Sequence, residues 1–256
     1  MERFIRESAA VAQIELIKLT RDPTELVSRA IQPVLWLVVF GQVLAHVHGI
    51  YTGEIGYLAF ITPGILAQSV LFSAIFYGIA VIWERDLGVV HKLLVSPARR
   101  SSLVFGKAVA AGFRGIVQAV VIYLIAFALQ VTIRQDPQAI LGVVASVLLG
   151  SGIFSTFSLI VACIVKTRER FMGIGQVLTM PMFFASNAIY PLDLMPAWLR
   201  VVARLNPLTY LVDALRGLMI PGGESVYGYA VDFGVLIAVF CMLLAIAVRL
   251  YPSLAE

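Results

Sequence analysis

The chain has 256 residues, of which 60% are hydrophobic and 13% are charged, and its mean hydropathy is +0.93. Soluble domains carry about 25% charged residues, so this composition excludes an ordinary soluble domain and indicates a chain embedded in lipid. The formal net charge of +4 comes from basic residues at membrane edges and not from one patch, which argues against a nucleic-acid-binding protein.

Residues 1–23 are predicted to form an amphipathic helix lying in the membrane interface. The apolar side chains that share one side of this helix are Phe4, Ile5, Ala9, Val11, Ala12, Leu16 and Leu19. Glu15 intrudes on the apolar side, and Pro23 ends the helix because its ring cannot continue the hydrogen bonding. A plain anchor at the start of the chain is the alternative interpretation.

Six stretches are long enough to cross a hydrocarbon core, which needs about 20 mostly apolar residues. They are residues 30–48, 55–82, 108–131, 138–165, 171–190 and 229–250. We therefore expect an all-α membrane protein with six transmembrane helices and a single transmembrane domain over residues 1–256. Cys163 and Cys241 fall inside these stretches and are predicted to be free thiols.

The basic residues between the stretches are distributed unequally between the two sides of the membrane. With a cytoplasmic N-terminus, the opposite side holds only Arg134, Arg200, Arg204 and Arg216. Because cytoplasmic loops carry the excess of Lys and Arg, both termini are predicted to be cytoplasmic. The expected location is the cytoplasmic (inner) membrane.

The loop over residues 83–107 is the largest on the predicted cytoplasmic side. The apolar residues in it that recur with helical spacing are Leu87, Val90, Leu94 and Val95. Ser96-Pro97 stops this pattern, which predicts a short helix of about nine residues, about 14 Å long. Such a helix is a candidate docking surface for a partner protein, and a helix resting on lipid headgroups is the alternative.

Small residues are concentrated in the fourth and fifth stretches, at Gly150, Ser151, Gly152, Ser155, Ser158, Cys163, Gly173 and Gly175. Because small side chains let helix backbones approach closely in lipid, we expect close helix packing at these positions.

Residues 191–219 form a broken hydrophobic segment. Pro191, Pro196 and Pro207 interrupt helical hydrogen bonding and place polar side chains among apolar ones. A backbone of this kind is tolerated at membrane depth only where protein or a water-filled cavity covers it. The segment is therefore a candidate gate or pathway element.

The sequence lacks the motifs that nucleotide hydrolysis, metal binding and ion-coupled transport require. There is no Gly-rich phosphate loop of the GxxxxGK[ST] kind, so the chain is not expected to hydrolyse nucleotide by itself. His46, His48 and His91 have no metal-ligand companions at useful spacing, and the first two are predicted to lie at the outer interface. The cores of spans one, four, five and six contain no acidic residue, which favours an energy source outside this chain over ion coupling.

Two regions carry a resemblance to a known family. The first contains Glu84-Arg85-Asp86-Leu87-Gly88, Leu93-Leu94-Val95-Ser96-Pro97-Ala98-Arg99-Arg100 and Gly106-Lys107. The second contains Tyr190-Pro191-Leu192, Met195-Pro196-Ala197-Trp198-Leu199, Leu205-Asn206-Pro207-Leu208-Thr209-Tyr210 and Asp213-Ala214-Leu215-Arg216. Together they resemble the permease subunit of ABC-2-type exporters, a group that includes daunorubicin-resistance, nodulation-factor and polysaccharide export permeases.

The resemblance implies that two such permeases pair, as two copies or as a copy and a homologue, and are driven by two separate ABC ATPase subunits that bind ATP and Mg. This chain would then be a transport subunit and not an enzyme, with membrane lipid around it and with no cofactor or metal of its own. The expected function is export of amphipathic cargo: a drug, a lipid or a lipid-linked glycan. An ATP-independent channel or secondary carrier is the alternative, and a non-transport membrane scaffold is a third possibility.

The resemblance also implies three sets of functional residues. A coupling helix in the loop 83–107 would dock into the ATPase through Glu84, Arg85, Leu87, Val90, His91, Leu94, Val95 and Pro97. The N-terminal helix would be a second contact. Two short outer helices in the segment 191–219 would re-enter the membrane and form a gate, with paired charges, from Tyr190, Pro191, Asp193, Pro196, Asn206, Pro207, Asp213 and Arg216. Spans one, two and five would line the path through Trp36, Phe40, Phe60, Phe72, Phe76, Tyr77, Phe183 and Phe184.

Overall fold

The computed structural model describes residues 2–21, 24–45, 56–165 and 167–254, and it describes no side chain at residues 20 and 24–27. All regular structure in these residues is helical, so the all-α prediction is confirmed for them. The α-helices are α1 (Glu2–Arg21), α2 (Thr24–Leu35), α3 (Gln42–Ala45), α4 (Tyr57–Ile75), α5 (Tyr77–Asp86), α6 (Val89–Val95), α7 (Arg100–Ala128), α8 (Pro137–Val165), α9 (Arg168–Phe184), α10 (Ala197–Leu205), α11 (Pro207–Met219) and α12 (Tyr229–Leu250). Pro23, His46 and His48 lie outside the described residues.

Five helical stretches of the described chain are long and apolar enough to cross a membrane. They are Ser28–Ala45, Tyr57–Asp86, Arg100–Ala128, Pro137–Val165 and Tyr229–Leu254, the last ending in a 3-10 turn. The predicted span over 171–190 differs, because α9 has 17 residues and ends at Phe184, after which Ala185–Tyr190 is not helical. A sixth span of full length is therefore not confirmed.

The first crossing stretch is not a uniform α-helix. Pro33 lies inside α2, where its ring removes one backbone hydrogen bond and crowds the carbonyl one turn earlier. A π-helical turn, Trp36–Gly41, follows directly and leads into α3. Such a turn takes up the local distortion while keeping the backbone hydrogen-bonded, as lipid requires.

The predicted cytoplasmic loop is shorter than the sequence suggested. α5 extends to Asp86 and α7 begins at Arg100, so the end of the predicted loop is helical. Between them α6 has 7 residues, and Leu87 precedes it instead of belonging to it. The reason is Gly88, whose φ of 72° lies in the left-handed region and interrupts the helix.

α8 is the central helix of the bundle and packs against α4, α7, α11 and α12. The prediction of close packing at its small residues is confirmed: Gly150 lies against Leu211, and Gly115 of α7 lies against Ser151. The prediction is wrong for Gly173 of α9, where no atom would lie within 4 Å of an added Cβ. A second apolar cluster, at the end of the bundle that carries α1, joins α1, α5, α6, α7, α8 and the last turn of α12.

Candidate functional site

α6 and its flanking residues present a packed side and an exposed side. Val90 is fully buried, and Leu94 is half-buried against the apolar cluster at the α1 end. The residues that are exposed to the surroundings are Leu87 (69% exposed), His91, Val95 (85% exposed) and Pro97. Arg85 is half-buried and bonds Asp86 at 2.7 Å. The predicted docking residues are thus divided between fold stabilisation and an exposed apolar surface.

Glu84 lies in a buried ionic cluster and not on that exposed surface. Its carboxylate accepts hydrogen bonds from Lys18 and from Lys107, both at 2.6 Å. Glu15 of α1 lies 3.1 Å from Lys18, 3.3 Å from Lys107 and 3.7 Å from Arg114. At 9% exposure Glu84 is too buried to dock directly. The cluster instead fixes α1, α5 and α7 to one another.

This cluster explains why a carboxylate interrupts the apolar side of α1. Burial raises the pKa of Glu15, but Lys107, Lys18 and Arg114 outweigh burial and lower that pKa to about 2, from an ordinary value of 4.5. A lowered carboxylate pKa stabilises the folded state above the ordinary value, and this stability is lost only as the pH falls towards the folded pKa. The cluster therefore holds at every physiological pH.

Further polar contacts join neighbouring elements to the same end of the bundle. Arg3 donates to the carbonyl of Pro97 at 2.6 Å, and Glu7 accepts the backbone N–H of Arg99 at 3.0 Å. Arg168, at the start of α9, bonds Asp86 at 2.6 Å and lies 3.5 Å above the ring of Trp83. We call α1, α5, α6 and the first turns of α7 and α9 the α6 platform. These contacts connect α6 and its flanking residues to each of these helices.

The broken segment at the opposite end has a defined break at Asn206. Its side-chain oxygen accepts the N–H of Leu208 at 3.0 Å and caps α11, while Pro207 occupies the first helical position. Its side-chain nitrogen donates to the carbonyls of Met182 at 2.6 Å and of Ala185 at 3.4 Å. One amide thus joins the end of α9 to the start of α11.

Replacing Asn206 with alanine is expected to destabilise the protein by about 2 kcal/mol, because both the cap and a bond to a buried carbonyl are lost. Asn206→Asp keeps the capping oxygen but turns a carboxylate oxygen towards the carbonyl oxygens of Met182 and Ala185, so it is expected to be no more stable than Asn206→Ala. The measurement is denaturant unfolding of the detergent-solubilised protein. Equal stability of Asn206→Ala and the unsubstituted protein would show that the amide does not join the two helices.

Asp213 and Arg216 are both buried in α11, but within the described residues they form no ion pair, contrary to expectation. Arg216 donates to the carbonyl of Asn187 at 2.7 Å and lies 3.9 Å above the ring of Phe60. Asp213 accepts from the hydroxyl of Ser225 at 2.9 Å and from the N–H of Tyr227 at 3.0 Å. The two charges therefore attach α11 to two different loops.

The other predicted gate residues lie where the broken segment turns. Tyr190 donates its hydroxyl proton to the carbonyl of Phe184, and Pro191 precedes a 3-10 turn over Leu192–Leu194. Asp193 is exposed, and its carbonyl accepts from Arg200 at 3.2 Å. Pro196 occupies the residue before the first turn of α10, whose exposed apolar side chains are Trp198, Val201, Val202 and Leu205.

Four of the predicted pathway aromatics form one cluster between the first crossing stretch and α9. Trp36 lies 4.5 Å from Phe40 and 5.9 Å from Phe183, and Phe183 lies 5.4 Å from Phe184, all as ring-centre distances. Phe60 is instead buried beneath Arg216. Tyr77 does not face this cluster, because its ring lies 5.5 Å from the Lys107 ammonium and 5.0 Å from the Arg114 guanidinium.

Phe72 and Phe76 line two adjoining cavities between α2, α4 and α9. One, of 170 Å³, is lined by Ser28, Arg29, Gln32, Pro33, Gln68, Ser69, Phe72, Ser73 and Phe76. The other, of 300 Å³, shares Gln32, Phe72 and Phe76 and is otherwise largely apolar. Gln68 is buried, and its side-chain oxygen has no hydrogen-bond partner among the described residues. The polar members Gln32 and Gln68 were not predicted, although polar amides within apolar stretches were a visible signal.

No group of three or more His, Cys, Asp or Glu side chains in the described part of the chain is placed to hold a metal ion.

The sequence of this chain is similar to those of known membrane transport proteins. The family model described as ABC-2 type transporter matches residues 7–220. A putative transport permease, ycf38, from Cyanophora paradoxa is 33% identical over 217 residues, covering 84% of this chain and 74% of the relative.

Two bacterial relatives are more distant. A probable doxorubicin resistance ABC transporter permease protein, DrrC, from Mycobacterium tuberculosis is 24% identical over 220 residues, covering 86% of this chain and 79% of the relative. Nodulation protein J from Rhizobium leguminosarum bv. trifolii is 25% identical over 200 residues, covering 76% of this chain and 74% of the relative. The residues that the family model matches, 7–220, include most of the α6 platform and all of the broken segment.

Proposed function

Because the chain belongs to the ABC-2 type transporter family of permeases, we propose that it is the membrane subunit of an ATP-driven exporter. Its proposed partners are two separate ATPase subunits, which bind ATP and Mg, and a second permease that is another copy or a homologue. The proposed cargo is amphipathic: a drug, a lipid or a lipid-linked glycan. It would be moved outward across the cytoplasmic membrane, with both termini of this chain cytoplasmic.

The observation that carries this proposal is the exposed apolar surface of α6 on a rigid support. Leu87 and Val95 are large apolar side chains that the rest of the described chain leaves exposed. Exposed apolar patches mark contacts with another protein or with lipid. The buried ionic cluster behind them resists local deformation, because each carboxylate has at least two cationic partners. A partner that pushes on α6 would therefore move the α6 platform as a unit.

The proposed cargo path begins in the two cavities between α2, α4 and α9. A polar cavity beside an apolar and aromatic one suits a molecule that has both characters. α9 begins within the α6 platform, through the Asp86–Arg168 pair, and also forms a wall of the path. Movement of the platform would thus change the shape of the cavities, and two arrangements of this kind give alternating exposure to the two sides.

The proposed gate is formed by α10 and α11. α11 has 13 residues, about 20 Å in length, which is less than the roughly 30 Å of a hydrocarbon core. It packs between α4, α8 and α12, as a re-entrant helix covered by protein would. α9 would be the sixth crossing element, completed by the irregular backbone that follows it. The doxorubicin resistance named for one relative supports drug-like cargo.

The test is purification of the protein from its native membranes with its stoichiometric partners. Val95→Asp is expected to reduce co-purification of an ATPase at least about tenfold, because it places a charge at the centre of the proposed contact. Leu94 is less suitable, since it packs against the fold and its replacement would mix misfolding with loss of docking.

Val226→Asp is the matched control, because Val226 is 70% exposed at the other end of the bundle. It is expected to leave the partner bound. A stable complex without any ATPase would favour the ATP-independent channel or carrier. Equal partner recovery from Val95→Asp and Val226→Asp would remove α6 as the docking element.

A further inference from the structure

Two buried carboxyl groups meet at a single hydroxyl where the loop over residues 220–228 passes between α11 and the start of α12. The oxygen of Ser225 lies 2.9 Å from Asp213 Oδ2 and 2.6 Å from Asp232 Oδ2. Neither aspartate has any exposed surface. This site lies apart from both the α6 platform and the cavities.

A count of protons determines the charge at this site. A serine hydroxyl has one proton and two lone pairs. One lone pair of Ser225 accepts the N–H of Gly228 at 2.7 Å. Its single proton gives one strong, linear hydrogen bond, so the two short contacts are both strong only if one of the carboxyl groups carries a proton of its own.

The neighbours of the two aspartates indicate which of them carries the proton. Asp213 Oδ2 also accepts the N–H of Tyr227 at 3.0 Å, and Arg216 lies one turn later on the same helix. Both features place a donor or a positive charge beside Asp213, which makes it the acceptor of the two carboxyl groups. In the described residues the carboxyl group of Asp232 has Ser225 as its single hydrogen-bond partner. Asp232 therefore donates to Ser225, and Ser225 donates to Asp213.

Other charged and titratable groups near the site do not replace this proton. The groups on α10, α11, the loop, α12 and the segment before α8 that interact with the two aspartates or with the tyrosines beside them are Arg134, Arg204, Tyr210, Arg216, Glu224, Tyr227 and Tyr229. Arg134 pairs with Asp136 at 2.7 Å, and Arg216 is held by the carbonyl of Asn187. α4 and α8, which pack against α11, bring no charged side chain between residues 57 and 83 or between 137 and 165.

We propose that Asp213, Ser225 and Asp232 form a shared-proton latch that holds the loop 220–228 onto α11 and α12, and that the loop is released when Asp232 loses its proton. Without the proton, two buried carboxylates face one hydroxyl, and the repulsion between them favours an arrangement that admits water. Because α11 belongs to the proposed gate, the latch would make the opening of that end of the bundle depend on pH. The proton site itself does not require the protein to be an exporter.

Infrared difference spectroscopy of the purified full-length protein in lipid nanodiscs, with any subunits that co-purify, tests the latch directly. We expect a protonated-carboxyl carbonyl band at mildly acidic pH that disappears as the pH rises. Asp232→Asn is expected to remove this band at every pH while the protein stays folded, because the amide still donates to Ser225. Glu224→Gln, which changes an exposed carboxyl group of the same loop, is expected to keep it.

A spin label attached to Val226→Cys, in a variant that also carries Cys163→Ala and Cys241→Ala, reports the mobility of the loop 220–228. Its mobility is expected to increase over the same pH range in which the band disappears, and to stay low throughout in the Asp232→Asn background. Ser225→Ala is expected to give a mobile label at every pH. The latch would be overturned by any one of three results: no carboxyl band that changes with pH, a band that remains in Asp232→Asn, or a label mobility that does not change with pH.

Discussion

Replacing Lys107 with methionine is expected to destabilise the protein by about 3 kcal/mol or more, one of the two largest single-residue effects that we predict. Lys107 is 2% exposed, and its ammonium group is shared by the carboxylates of Glu84 at 2.6 Å and Glu15 at 3.3 Å. Methionine fills a similar volume, so the loss is electrostatic and not a cavity. The two carboxylates keep Lys18 and Arg114 but lose their most buried partner.

The measurement is denaturant unfolding in detergent, together with protease susceptibility of α1. Lys92→Met changes a lysine that is exposed on α6, and its effect is expected to stay within about 0.5 kcal/mol. The double variant Lys107→Met with Glu84→Gln removes a cation and an anion together, so it is expected to recover part of the lost stability. A double variant no more stable than Lys107→Met alone would show that Glu84 and Lys107 do not couple α5 to α7.

This cluster also shows how far the sequence could be used for prediction. The amphipathic spacing of α1, the carboxylate of Glu15 on its apolar side and the position of Arg114 inside a span were all visible in the sequence. Their meeting point was not, because it depends on how α1 lies across α5 and α7, which no local pattern specifies. For the same reason the resemblance places Glu84 among the residues that would dock into the ATPase, although its burial makes it a structural residue.

At the opposite end of the bundle the local chemistry was predictable and the partners were not. Asn206-Pro207 is a helix start that can be recognised from sequence, and the structure places the cap there. The resemblance implies paired charges in this segment, and Asp213 and Arg216 are the buried candidates for them. The structure instead directs Asp213 to Ser225 and Tyr227, which are close only because the loop 220–228 folds back over α11.

Replacing Gly64 with alanine is expected to be comparably severe, because α4 passes directly against the backbone of the irregular segment after α9. An added Cβ would lie 2.2 Å from the carbonyl oxygen of Ala188 and 2.8 Å from its carbonyl carbon. That backbone cannot easily move away, since Tyr57 bonds the carbonyl of Ile189 at 3.3 Å and Arg216 bonds that of Asn187 at 2.7 Å. We expect a loss of about 3 kcal/mol, at the upper end of the usual cost of overpacking.

Thermal unfolding of the solubilised protein measures this effect, and Gly173→Ala is its matched control. Gly173 also lies inside a helix, but no atom would lie within 4 Å of its added Cβ. Alanine there is expected to stabilise α9 by about 0.5–1 kcal/mol, because it limits the backbone freedom of the unfolded chain. Gly64→Ala and Gly173→Ala should therefore shift the unfolding temperature in opposite directions. Shifts of the same sign and size would mean that α4 does not contact the segment at Ala188.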